Sequence, residues 1–104
     1  MADKQRMRGT DRRANLLNIA YALAARDGIA GVTRKAVAVE AKVTEPLINH
    51  YFKGTAAMQA LVIDKAAELK DCKILASAIR SGWDLSSVAA TRATMREAKR
   101  IAAA

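Results

Sequence analysis

The chemistry this 104-residue chain can offer comes from cations, hydroxyls and one amide rather than from a catalytic set. Arg34, Lys35, Lys42 and Lys53 flank a stretch in which Thr44, Glu45, Leu47 and Asn49 are left free to face outward. Eighteen Lys and Arg against ten Asp and Glu give a net charge of +8. In a small chain that balance points to a polyanion, with nucleic acid the first candidate and an anionic membrane surface the second. Catalysis finds little support. His50, the only His, has no nucleophile or orienting carboxylate near it in sequence. Cys72 is the only Cys, which excludes a disulfide framework and a Cys-rich zinc site, and its place on an apolar stripe reads as a buried structural thiol. The acidic residues show no metal-ligand or paired-carboxylate spacing, and there is no Gly-rich phosphate loop. The chain is therefore expected to have no catalytic residues, no metal and no cofactor, and not to be an enzyme.

The elements that must position those side chains are helical. Of the 54 apolar residues 24 are Ala, and one Pro and five Gly are the only strong interruptions. The core falls to eight Leu, seven Ile, six Val and four Met, enough for one domain of this length. No apolar run approaches the roughly 18 residues of a membrane span, and the basic N-terminus lacks the apolar segment of a secretory signal. Residues 1–12 read as a basic flexible arm. A first helix is expected over 12–27, with Asp11 or Thr10 as its cap, Leu16, Ile19, Ala20, Leu23 and Ala24 on one face, and Gly28 as its stop. Thr33 should cap a second helix over 34–41, and Lys42-Val43 should turn the chain, with Val43 as a buried plug. Thr44 should cap a third, short helix over 45–50, where Pro46 is tolerated in the first turn. The apolar register from Met58 to Ile79 predicts a long fourth helix over 55–81, with a break near Asp71 as the alternative. A last helix is expected from 85 or 86 to 101, capped by Asp84 or Ser86, with Arg92, Arg96, Lys99 and Arg100 on one side.

Three short helices joined by tight turns describe a helix-turn-helix, which lays its last helix in a DNA major groove. Val37, Ala38, Ala41, Val43, Ile48 and Phe52 are apolar where the helices must touch, and the small residues at 38 and 41 permit a close crossing. From Arg13 to Met58 the chain resembles the DNA-binding domain of the tetracycline-repressor (TetR-type) family. The resemblance rests on Gly28, Thr33, Ala38, Ala41, Val43 and Thr44, followed by His50-Tyr51-Phe52-Lys53. Two positions depart from the family pattern: Lys42 stands where Gly is usual, and Asn49 stands where an aromatic ring is common.

The resemblance implies an all-α fold: a helix-turn-helix DNA-binding domain over 13–54, then a helical dimerisation region over 55–104 packed on it as one compact unit. It implies double-stranded DNA as partner and a sequence-specific transcriptional regulator, a repressor that binds a palindromic operator as a homodimer. By position, Leu47 and Asn49 are base-reading candidates, with Glu45 and Pro46 at the groove-facing start. Thr33, Arg34, Thr44, His50, Tyr51 and Lys53 are phosphate candidates, which position rather than specify. Asn can pair bidentately with adenine, and Leu can meet a thymine methyl. The dimer is expected through Leu61, Leu69, Ile74, Leu75 and Ile79. About 50 residues after Lys53 leave little room for an effector pocket, so no small-molecule effector is expected, nor a membrane, and the setting is cytoplasmic in a bacterial, phage or plasmid-encoded protein. The alternative is an architectural or accessory DNA-binding protein, in recombination or replication, with weak sequence preference.

Overall fold

The computed structural model describes residues 9–104. Helix α1 spans Gly9–Asp27, a 3₁₀ turn Ile29–Gly31, α2 Arg34–Ala41, α3 Glu45–Tyr51, α4 Thr55–Glu68, α5 Cys72–Arg80 and α6 Arg92–Ala103. The described residues contain no strand. None of their helices is long and apolar enough to cross a membrane.

Helix α1 begins at Gly9 rather than at 12, so neither Thr10 nor Asp11 is its cap. Asp11 lies instead in the first turn, where the exposed N–H groups of the helix favour a carboxylate. The earlier part of the expected arm lies outside the described residues. Leu16, Ala20, Leu23 and Ala24 are buried as the register required. At Gly28 the backbone turns with φ +84°, and an added Cβ would meet Ser77 Cβ at 3.3 Å. The Ser77 hydroxyl accepts from Ile29 N at 3.0 Å and donates to Ile74 O at 2.6 Å, so α5 is pinned to the turn that aims α2. The Gln59 amide donates to Val32 O at 2.9 Å and holds the same turn from α4.

The expected long fourth helix is two helices, broken where the alternative placed the break. After Glu68 the chain closes a Schellman turn: Asp71 N donates to Ala66 O at 2.8 Å and Lys70 N to Ala67 O at 3.2 Å. Lys70 takes the left-handed conformation, φ 57°. Asp71 then caps α5, its Oδ1 accepting from Ile74 N at 3.3 Å, while Oδ2 accepts from the Tyr21 hydroxyl at 2.7 Å. One carboxylate therefore starts α5 and ties it to α1. Partial burial first, and the Asp71 carboxylate second, push the Tyr21 hydroxyl well above its ordinary pKa.

The last helix also starts later than expected. Asp84 closes on its own chain, accepting from Ser86 N at 2.9 Å, a local turn that competes with helix. That N–H holds the Asp84 carboxyl below its usual range. Thr91 caps α6 instead, accepting from Thr94 N at 3.1 Å. Thr94 and Ala98 are buried against the body, and Met95 is partly covered. Helix α6 packs on α5, and the Arg80 guanidinium donates to Ile101 O at 2.7 Å and Ala102 O at 3.3 Å, satisfying carbonyls at the end of α6. The core includes Leu16, Ile29, Val32, Val37, Ile48, Phe52, Met58, Val62, Ile63, Ile74 and Leu75. Trp83, in the loop between α5 and α6, is half-buried against it. Cys72 is half-buried, its thiol facing Thr94 O at 3.6 Å.

Candidate nucleic-acid interface

Helix α2 is set by Thr33, whose hydroxyl accepts from Ala36 N at 3.1 Å. That bond occupies an acceptor and leaves the hydroxyl proton free to donate outward. Arg34 and Lys35 come next, both exposed, on the first turn of α2. The turn to α3 is a Schellman closure: Val43 N donates to Ala38 O at 3.0 Å and Lys42 N to Val39 O at 3.3 Å. Lys42 accordingly adopts φ 59°, ψ 44° at the position where a Gly would be unstrained. Val43 is half-buried rather than a fully buried plug, because it sits at the rim where α2 meets α3.

Helix α3 divides its residues as a groove-entering helix must. Ile48 is fully buried, and Phe52, just past the helix end, is 2% exposed. Glu45, Pro46, Asn49 and His50 are exposed, and Leu47 and Tyr51 are half-buried. Thr44 stands at the N-cap with extended backbone, but its hydroxyl caps nothing. Its carbonyl receives Leu47 N at 3.2 Å, so the helix is started by the backbone alone and the exposed hydroxyl faces out. The Tyr51 ring meets His50 edge-on, centroids 5.1 Å apart, which fixes the two phosphate candidates against each other. Lys53 is exposed at the start of the bend into α4.

All ten candidate residues thus lie on α3, its two flanking turns or the start of α2, and none is fully buried. One neighbour escaped the sequence reading. The exposed Arg13 of α1 sits with its guanidinium 5.3 Å from the Phe52 ring centroid, bringing a cation to the C-terminal end of α3. The signal for it was its place one turn before Leu16 and Leu17 on the core-facing side of α1. At the other end of α1, Arg26 pairs with Asp27 at 3.0 Å and reaches Glu40 at 3.5 Å, so its charge is spent on linking α1 to α2. The described residues hold no cluster of three metal-ligating side chains.

A capped α2, a tight left-handed turn and a short α3 with one buried and one exposed side define a helix-turn-helix DNA-binding domain. Residues 16–61 match the family model described as bacterial regulatory proteins, tetR family. Over these residues the chain is similar to the DNA-binding domain of TetR-family transcription regulators. The match spans the turn at Gly28 and all of α2 and α3. A search of curated proteins found no match, and neither did a search of solved structures.

Proposed function

We propose that the chain is a sequence-specific transcriptional repressor that binds a palindromic operator as a homodimer. The observation that carries this reading is the outward set on α3, with Asn49 exposed beside buried Ile48 in a TetR-like domain. Asn49 and Leu47 read bases, with Glu45 and Pro46 entering the groove first. Thr33, Arg34, Thr44, His50, Tyr51 and Lys53 hold phosphates on either side. A single helix of seven residues spans few base pairs, so affinity calls for two copies on symmetric half-sites. Ile74 and Leu75 are buried within one protomer and drop out of the dimer contact. Leu69, 59% exposed at the break between α4 and α5, remains its leading candidate, with half-buried Leu61 about two turns earlier on α4. In this reading the protein works in the cytoplasm and releases its operator without a small effector. Selection from a random duplex library at near-physiological salt tests it. A palindrome with half-sites about one helical turn apart, or a multiple, supports the reading. Binding without enrichment, collapsing as salt rises, refutes it and leaves an architectural DNA-binding protein.

A further inference from the structure

Half of the net positive charge lies in residues 69–104, beyond the helix-turn-helix. Residues 69–104 hold seven Lys and Arg against three Asp and Glu, and they lie beyond the family match. Much of this excess sits on α6. Its buried side is Thr94 and Ala98, with Met95 and Ile101 at the edges. On the opposite side Arg92, Arg96 and Lys99 succeed one another at i, i+4 and i+7, all exposed. The one acid on the helix, Glu97, is taken by Arg100, whose Nε donates to Glu97 Oε1 at 2.8 Å. Among the described residues no carboxylate lies within ion-pair distance of Arg92, Arg96 or Lys99. Helix α5, on which α6 packs, adds the exposed cations Lys73 and Arg80. Asp84 shares a cleft of about 260 Å³ with Lys99 but stays committed to Ser86 N.

We infer that the α6 ridge of Arg92, Arg96 and Lys99 is a second DNA contact, which grips the phosphate backbone of a duplex segment other than the one facing α3. The ridge is roughly 10 Å long at 1.5 Å rise per residue, a span of about three phosphates along one strand. Helix α6 packs chiefly on α5 and α3 on α2, so the two surfaces are carried by different helix pairs of the molecule. The contact inferred is to phosphates, the sequence-independent part of DNA binding. It does not favour a membrane, since the apolar side of α6 is spent on α5 and has nothing left to insert. A protein of this design holds two DNA segments together. The inference rests on the reading of the chain as DNA-binding, but not on the repressor or the operator.

Three full-length variants test it: N49A/K53A to disable α3, R92Q/R96Q/K99Q to neutralise the ridge, and the combination. Circular dichroism confirms that each is folded. With α3 disabled, the protein is expected to keep a weak, sequence-blind affinity for a generic duplex. That affinity should fall about 40-fold between 50 and 200 mM salt, the slope of three phosphate contacts. The combined variant should lose it. On an immobilised duplex, wild-type protein should capture a second, labelled duplex, and the ridge variant should capture at least ten-fold less. Capture by the ridge variant equal to wild type overturns the inference, as does loss of all binding on disabling α3 alone. Ridge-dependent binding to vesicles of anionic lipid in place of duplex overturns it in favour of a membrane. A wild-type protein with no affinity for any duplex refutes the DNA-binding reading itself, a result distinct from either.

Discussion

Asp71 joins two halves of the molecule through one carboxylate, and a set of variants separates its two jobs. Asp71→Ala removes the cap of α5, a loss of about 1 kcal/mol. It also removes the acceptor for the Tyr21 hydroxyl, a bond to a charged group that in a half-buried site contributes about 1–2 kcal/mol. Together these amount to roughly 2–3 kcal/mol, or a fall in Tm on the order of 10–20 °C for a chain of this size. Asp71→Ser keeps a capping oxygen but cannot reach Tyr21, so it should lose only about 1–2 kcal/mol. Tyr21→Phe should lose a similar amount and leave the cap intact. Urea denaturation of Tyr21→Phe, Asp71→Ala and the double variant should return a coupling energy of about 1–2 kcal/mol. Additive losses would mean that the 2.7 Å bond contributes nothing, and the account of the α4–α5 break would fail with it. The alkaline limb gives an independent check. The pKa of Tyr21 is raised on folding, so its contribution is fully present below the ordinary value of 10 and is lost as pH rises beyond it. Wild-type stability should therefore fall more steeply above pH 10 than that of Tyr21→Phe.

Further outcomes are expected. Lys70→Gly should raise stability by about 0.5–1 kcal/mol in thermal denaturation, because a left-handed residue without Cβ carries no steric cost there. Gly28→Ala should lower stability by about 1–3 kcal/mol, since φ +84° and the 3.3 Å approach to Ser77 Cβ both oppose a methyl group. Asn49→Ala should weaken the selected operator by about 1–3 kcal/mol and relax preference at one base step, whereas Lys53→Ala should weaken all sequences alike and lower the salt slope by about one. An equal loss across sequences for Asn49→Ala would move that residue among the phosphate contacts. Leu69→Asp should leave the protomer folded, since the side chain is already exposed, but yield monomers by light scattering. A variant that stays dimeric places the interface elsewhere.

The helix-turn-helix was legible because its determinants are local. Thr33 caps α2, Gly28 stops α1, and the 3.6-residue period sorts Val37, Ala38 and Ile48 inward. The C-terminal half was read less well because its boundaries are decided by distant partners. Nothing between Leu69 and Asp71 breaks a helix by composition; the break is fixed by Lys70 in a left-handed turn and by Tyr21, 50 residues away. Asp84, Ser86 and Thr91 are all plausible caps, and only the closure of Asp84 on Ser86 N decides for Thr91. Periodicity identified the apolar side of α5 but not its cover. Ile74 and Leu75 looked available to a second copy, yet they belong to the protomer's own core, with α6 packed on their helix. At the candidate interface the sorting of α3 came directly from its sequence, while the approach of Arg13 to Phe52 depends on how α1 crosses it.

Trp83 is the chain's only tryptophan and lies in the loop joining α5 to α6, whereas the two tyrosines, Tyr21 and Tyr51, lie on α1 and α3. Each half of the molecule thus carries its own kind of fluorophore. Selective excitation of the indole reports when the C-terminal helices come apart, and far-ultraviolet ellipticity reports the whole. If the pinning of α5 to the Gly28 turn makes the two halves one cooperative unit, the two curves superimpose in denaturant. If the indole signal moves first, the tail melts while the DNA-binding domain persists, and intrinsic emission becomes a direct read-out of that partly open species.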